Sequence, residues 1–130
     1  MPVTRVFSKA VWEGRVGYCR AIRADHHIYV TGTAPIGPDG AVFAPGDAYA
    51  QAARCFEIIK KALADLGATP ANLVRTRMFV TDISRWEEFG RAHRDFCGDH
   101  PPATTMVEVK SLIDPAMLIE IEADAVVPRD

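Results

Sequence analysis

Two stretches of the chain carry apolar residues at every third or fourth position, the spacing of an amphipathic helix. They cover residues 47–66 and 85–98. Asp47 is a candidate N-cap for the first helix, and Gly67 lies where a left-handed C-cap is expected. Ser84 and Glu87 have the spacing of a capping box for the second helix. The predicted buried stripes are Tyr49, Ala52, Phe56, Ile59, Leu63 and Leu66 in the first helix and Trp86, Phe89, His93 and Phe96 in the second.

The remaining apolar segments are rich in β-branched and aromatic residues, which favours strands. They cover residues 18–24, 26–33, 73–81, 104–110 and 117–127, with a further short strand near 3–7. The resulting order is β-β-β-α-β-α-β-β. It predicts an α+β fold in one domain over residues 1–130, with a single mixed sheet and both helices on one face.

Alternation along each strand assigns its side chains to the two faces of this sheet. The face toward the helices is predicted to carry Ile28, Val30, Val74, Thr76, Met78, Val80, Thr105, Val107, Val109, Met117, Ile119, Ile121, Ala123 and Ala125. The second face is predicted to carry Tyr29, Thr31, Thr33, Leu73, Arg75, Arg77, Phe79, Thr104, Met106, Glu108, Lys110, Leu118, Glu120, Glu122 and Asp124. Large apolar groups mixed with charges on an open face imply a partner. We expect other copies of the chain to cover it in closed symmetry.

Composition narrows the class of protein. The chain has 130 residues, 48% of them hydrophobic and 25% charged, which is ordinary globular composition. Its net charge is -2, and its arginines are scattered rather than clustered in the basic patch typical of a nucleic-acid-binding domain. Three separated cysteines favour reduced thiols in the cytoplasm, and no apolar run reaches the ~20 residues of a membrane-spanning helix. We therefore expect no nucleic-acid partner, no membrane and no metal site.

Six segments resemble the RidA/YjgF family of reactive-intermediate deaminases, also called L-PSP endoribonucleases. They are VGYCRAI, HHIYVTGTAP, DAYAQAARCFEIIKKALADLGA, VRTRMFVTDI, PPATTMVEV and LIEIEADAV, and they span nearly the whole chain. The resemblance implies a chorismate-mutase-like fold and a homotrimer with one small-molecule site at each subunit interface. It also implies hydrolysis of imines or enamines to a carbonyl compound and ammonia, with no cofactor.

The same resemblance suggests which residues form that site. Glu120 matches a glutamate that positions or activates a water molecule, and Tyr18 matches a tyrosine of the pocket. Thr31 and Gly32 match a serine-glycine pair whose backbone completes it. A carboxylate in such surroundings tends to have a raised pKa, which suits proton transfer near neutral pH.

Two positions depart from the family pattern. Thr104 stands where family members carry the arginine that grips the substrate carboxylate, and Met106 stands where cysteine is common. Both remain candidate substrate-binding residues. Arg77 shares the predicted face of Glu120, so it either supplies the missing cation or forms an ion pair with Glu120 or Glu122 at a subunit interface. We favour the ion pair, because structural ion pairs are common where charges are buried together.

Several functions remain open on this basis. The first is a cofactor-free imine or enamine hydrolase that uses Glu120 as its central residue. The second is a non-catalytic trimeric metabolite-binding protein, which the loss of the arginine favours. A ribonuclease is disfavoured by the acidic balance of charges. An isomerase of the chorismate mutase kind would rest on shared fold alone, because the chain has no cationic cluster to support it.

Overall fold

The computed structural model describes residues 2–128, and in this part of the chain six strands form one sheet. Across the sheet the order is β1-β2-β3-β6-β4-β5, and only β4 and β5 are parallel neighbours. The strands are β1 Val3–Val6, β2 Ala21–Ala24, β3 His27–Thr33, β4 Leu73–Val80, β5 Ala103–Glu108 and β6 Ile119–Val126. The predicted α+β fold with one mixed sheet is confirmed.

Within residues 2–128, three α-helices accompany the sheet: α1 Val11–Val16, α2 Ala48–Asp65 and α3 Trp86–Cys97. Helices α2 and α3 are the two predicted ones, and their buried residues share one core with β3, β4 and β6. The prediction that Trp86 is buried is wrong, because it lies in the first turn of α3 and is 56% exposed. Asp47 caps α2 by accepting a hydrogen bond from the backbone N–H of Ala50 at 2.9 Å. Gly67, just after α2, has the expected left-handed φ of 83°. None of the helices within residues 2–128 is long and apolar enough to cross a bilayer.

The predicted capping box of α3 is wrong. Ser84 donates a hydrogen bond from its hydroxyl to Oδ1 of Asp82 at 2.6 Å, inside a 3-10 turn that leads into the helix. The N-cap of α3 is Arg85, which makes no capping hydrogen bond with its side chain. Asp82 instead caps the turn Ile83–Arg85, because its side chain accepts a hydrogen bond from the backbone N–H of Ser84 at 3.0 Å. The turn runs directly into α3.

Helix α1 was not predicted. It is six residues long and ends at Gly17, whose left-handed φ of 92° lets its N–H bond to the carbonyl of Glu13 at 2.9 Å. So short a segment contains too few turns to show an apolar period. Its buried residue is the charged Glu13, which no hydrophobic pattern reveals.

The face assignment is confirmed along β6 and wrong along β5. All five residues of the predicted β6 row, from Met117 to Ala125, are buried. In β5, however, Thr104 lies opposite the buried Thr76 and Met106 opposite the buried Met78. Residues paired directly across two strands share a face. Thr104 and Met106 thus face the helices, whereas Thr105 and the 42% exposed Val107 face away.

Irregular strand pairing explains the other errors. The β4–β6 register shifts between Leu73 and Arg75, so Leu73 is buried and Val74 is 48% exposed, the reverse of the prediction. The β3–β6 register shifts between Val30 and Thr33, and Thr33 is buried rather than on the second face. Such a shift changes the phase of alternation within one strand.

Candidate functional site

A cleft of about 650 Å³ opens between α1, the end of β3 and α2. Its apolar wall includes Val11, Trp12, Val16, Ile36, Ile58 and Ile113. Its polar groups include Tyr18, Arg20, Arg54, Glu57, Lys61 and Glu120. Concave sites of this size with an apolar wall and a few polar groups are typical of small-molecule binding.

Glu120 borders this cleft from strand β6, with its carboxylate against the backbone of Gly32. A β-carbon added at Gly32 would lie 2.5 Å from Oε2 and 3.2 Å from Cδ of Glu120. The glycine therefore makes room for the carboxylate. Burial raises the pKa of Glu120, Arg20 opposes that shift, and Glu122 adds to it. The result is a half-buried carboxylate suited to accept and return a proton.

Arg20 is held in the same wall by an ion pair that sequence reasoning missed. Its Nε donates to Oε2 of Glu13 at 3.1 Å, and the two side chains are only 7% and 4% exposed. Its Nη1 donates to the carbonyl of Gly32 at 2.8 Å and to Oγ1 of Thr33 at 3.2 Å. Ser8 completes the network by donating its backbone N–H and its hydroxyl to the Glu13 carboxylate.

A signal for Arg20 was present in the chain. It lies two residues after Tyr18 in the VGYCRAI segment that carries the family resemblance. In the structure its guanidinium carbon is 5.8 Å from the centre of the Tyr18 ring. Its partner Glu13 had no such signal, because only the fold of α1 brings it to Arg20.

Three of the sequence-predicted site residues, Tyr18, Gly32 and Glu120, meet in the cleft. Thr31 does not line it, although it adjoins Gly32. The Thr31 hydroxyl donates to the carbonyl of Cys19 at 2.8 Å, so it ties β3 to the segment that carries Tyr18.

Thr104, Met106 and Arg77 lie outside the cleft of their own chain. Thr104 shares a hydrogen bond of 2.7 Å with Thr76, and Met106 packs against the core. Arg77 places Nη1 3.2 Å from Oε1 of Glu122 and 3.5 Å from Oδ2 of Asp124. It is thus paired with carboxylates of the second face, and not with Glu120.

The histidine and cysteine of α3 do not form a reactive pair. The sulfur of Cys97 is 3.4 Å from Nε2 and 3.5 Å from Nδ1 of His93, so it lies over the imidazole ring rather than in line with one nitrogen. Burial raises the pKa of the Cys97 thiol to about 11. Within residues 2–128, no group of three His, Cys, Asp or Glu side chains could hold a metal ion.

Comparison with known proteins places this geometry in a family. The sequence model of the family described as Endoribonuclease L-PSP matches residues 9–127. The chain belongs to this family, also known as RidA/YjgF. A crystal structure of a YjgF/YER057c/UK114 family member from Mycobacterium tuberculosis is 44% identical, with a TM-score of 0.88 over 97% of this chain and 100% of that chain.

Two RidA/YjgF relatives extend the comparison. The 3-aminoacrylate deaminase RutC of Acinetobacter baylyi is 30% identical over 83% of this chain and 85% of that protein. An uncharacterized protein of Streptomyces coelicolor is 31% identical over 95% of this chain and 91% of that protein. These relatives support a small-molecule role at the level of the family.

Proposed function

We propose that this protein hydrolyses imines or enamines to a carbonyl compound and ammonia in the cleft beside Glu120. The observation that carries the proposal is the half-buried Glu120 carboxylate, which has a raised pKa and lies against Gly32 in the wall of a small-molecule cleft. The named substrate of the Acinetobacter relative, 3-aminoacrylate, is an enamine that carries a carboxylate. That name supports the reaction class.

The proposed reaction needs only water and a group that accepts and returns a proton. Glu120 accepts a proton from water as the water oxygen attacks the carbon of a protonated imine, which gives a neutral carbinolamine. Glu120 then returns that proton to the nitrogen. The carbon–nitrogen bond breaks, the hydroxyl proton leaves with the ammonia as ammonium, and the water oxygen becomes the carbonyl oxygen. An enamine enters the same sequence after a proton from solvent adds to its β-carbon, which gives the protonated imine.

Three further groups would position the substrate. Tyr18 lines the cleft wall, and Gly32 leaves room beside Glu120 because it has no side chain. Thr31 would act indirectly, since its hydroxyl ties this segment to the carbonyl of Cys19. Thr104 and Met106 lie on the edge strand β5, so in this proposal they contact substrate only where a neighbouring copy brings them to its own cleft. Arg77 has no such role here, because its partners are Glu122 and Asp124.

The test is the decay of 2-imino acids generated in situ by an amino-acid oxidase. We expect the protein to accelerate the decay, and Glu120→Gln to lower the rate by about 10²- to 10⁴-fold, the usual contribution of a general acid–base residue. Glu87→Gln is the control, because Glu87 is an exposed carboxylate in the first turn of α3 and does not line the cleft. Acceleration that survives Glu120→Gln would refute the assignment of Glu120.

A second candidate is a metabolite-binding protein without catalysis. It is favoured by Thr104, which stands in place of the family arginine and faces the helices rather than the cleft. In that case no imine would decay faster, while small metabolites would still raise the melting temperature because they bind only the folded state. Imine decay and melting shifts, measured on one preparation, separate the two functions.

We also propose that the protein is a homotrimer whose copies cover the second face of the sheet. That face leaves Tyr29 49% and Val107 42% exposed, beside the ion pairs of Arg77. Light scattering after gel filtration should give three times the mass of one chain, and a monomer mass would contradict the proposal.

The three cysteines of the chain are free thiols, which supports our proposal of a reducing compartment such as the cytoplasm.

A further inference from the structure

Arg20 differs from the other cations of the cleft in burial. Arg54 donates Nε to the carbonyl of Ile36 at 2.7 Å and Nη1 to Glu57 at 3.2 Å. Lys61 is 78% exposed and donates to Asp65 at 2.8 Å. Only 7% of the Arg20 side chain is exposed, so water screens its charge least. The Glu13 carboxylate offsets much of this charge, so an anion that enters the cleft meets Arg20 chiefly as a fixed, poorly screened hydrogen-bond donor.

One nitrogen of Arg20 remains unpaired. Nε and Nη1 are held by Glu13, Gly32 and Thr33, whereas Nη2 has no hydrogen-bond partner within residues 2–128. No fully buried side-chain nitrogen or oxygen in that part of the chain lacks a partner. Nη2 is therefore accessible to the space that Arg20 borders, which is the cleft and a small recess beside it. The other two nitrogens fix the guanidinium in place before any ligand arrives.

Gly32 places this free donor next to the proposed catalytic carboxylate. Its carbonyl accepts from Nη1 of Arg20, and its α-carbon lies against the carboxylate of Glu120. A ligand anion on Nη2 would thus bring the adjacent carbon of the ligand toward Glu120. Thr104 cannot provide that anchor in its own chain, because it does not line the cleft.

The rest of the cleft favours an apolar ligand body. The apolar side chains of Trp12, Ile36 and Ile58 line it. Its volume of about 650 Å³ lies within the ~300–1,000 Å³ of sites for drug-sized ligands, well above the needs of a three-carbon acid.

We infer that Arg20 is the specificity-determining residue of the cleft, and that it binds the carboxylate of a 2-oxo or 2-imino acid with an apolar side chain larger than methyl. This inference rests on the proposed function for the identity of the site. Arg20 takes over the anchoring of the carboxylate from the position that Thr104 occupies. The expected substrates are therefore the imino acids derived from larger apolar amino acids.

Equilibrium binding of stable 2-oxo acids tests this inference apart from catalysis. The probes are pyruvate, 4-methyl-2-oxopentanoate and the uncharged amide of the latter, titrated into the full-length protein by calorimetry. We expect affinity to rise by up to about fourfold for each added carbon that is buried. The amide should bind about ten- to a hundredfold more weakly than the acid, the usual effect of losing a charged hydrogen bond.

Two variants remove the proposed anchor in different ways. Arg20→Lys keeps the charge but loses the planar fork of donors. The double variant Glu13→Gln, Arg20→Gln removes both charges of the buried pair, so neither is left alone in the wall. Both variants should bind 4-methyl-2-oxopentanoate about tenfold or more weakly than the wild-type protein. Arg23→Gln is the control, because Arg23 lies on β2 outside the cleft and donates to the carbonyl of Leu66.

Each outcome decides the inference. Selective weakening in both Arg20 variants, with Arg23→Gln unchanged, supports it. Equal binding of acid and amide, undiminished binding in the Arg20 variants, or no preference for 4-methyl-2-oxopentanoate over pyruvate overturns it. If Glu120→Gln abolishes imine hydrolysis but the Arg20 variants bind 4-methyl-2-oxopentanoate as tightly as wild type, the proposed function stands and this inference fails. If the binding of 2-oxo acids depends on Arg20 but the protein accelerates no imine decay, Arg20 is the anchor of the cleft and the proposed hydrolysis fails.

Discussion

Gly32→Ala should disable the site while leaving the fold intact. The new β-carbon would lie 2.5 Å from Oε2 of Glu120, whereas carbon–oxygen contacts in proteins are rarely closer than about 3.3 Å. The carboxylate must therefore move by about 0.8 Å. A displacement of about 1 Å in a catalytic group can cost about 10²-fold in rate. We expect kcat/KM for imine hydrolysis to fall by about that factor.

Stability should change little in the same variant. Gly32 is not among the glycines with a left-handed backbone, so alanine meets no conformational strain there. Gly→Ala at a compatible site stabilises by about 0.4–1 kcal/mol through the unfolded state. Moving the flexible end of Glu120 offsets part of that gain. We expect the free energy of unfolding to stay within about 1 kcal/mol of wild type.

The assay measures imine decay and urea unfolding on the same preparation. Gly90→Ala is the matched control, because a β-carbon at this α3 position has no neighbour within 4 Å and it lies away from the cleft. Full activity in a folded Gly32→Ala protein would refute the requirement for a bare backbone beside Glu120. Loss of the fold would refute the view that only the carboxylate is displaced.

Three further predictions concern buried charges. Arg20→Met should lower the free energy of unfolding by about 3–5 kcal/mol, because it leaves the buried Glu13 without its partner. The double variant with Glu13→Gln should be more stable than Arg20→Met alone. Additive losses in a double-mutant cycle would contradict this prediction. Because the folded pKa of Glu120 is raised, the folded state holds this proton more tightly than the unfolded chain. The free energy of unfolding should therefore fall as pH rises from the ordinary carboxyl pKa through the raised one, and Glu120→Gln should remove that fall. The prediction is wrong if wild type and Glu120→Gln show the same pH dependence of the urea-derived free energy of unfolding between pH 4 and 7. Burial lowers the pKa of His93, so its contribution to stability should be present above about pH 6.5 and be lost as pH falls toward the folded pKa. His93→Gln should remove this dependence, and an equal effect of the exposed His100→Gln would count against it.

Much of the architecture could be predicted from local pattern. The apolar stripes of α2 and α3 and the alternation of β6 are repeated over 18, 12 and 8 residues, long enough to predict each element and most of its buried face. The exception is Trp86 at the start of α3, which was predicted to be buried and is 56% exposed. The N-cap Asp47 was found for the same reason, because its hydrogen bond reaches only three residues along the chain. Of the candidate site, Glu120, Gly32 and Tyr18 were found through motif resemblance rather than pattern.

What failed depended on contacts between distant segments. Alternation separates two rows of side chains, but it does not say which row faces the core where both rows mix apolar and polar residues, as they do in β5. In β5 the parallel pairing of Thr104 with Thr76 made that choice, and in β3 the register shift before Thr33 reversed it. Both depend on a partner strand that lies elsewhere in the sequence.

The chemistry of the cleft shows the same division. The chain by itself determined that an arginine stands at position 20 and a glutamate at position 13. Only the tertiary structure brought α1 against the end of β3, where burial of both charges makes them partners and leaves one nitrogen of Arg20 free. A charge acquires such a role when folding removes water from around it, and no local pattern reports how much water remains.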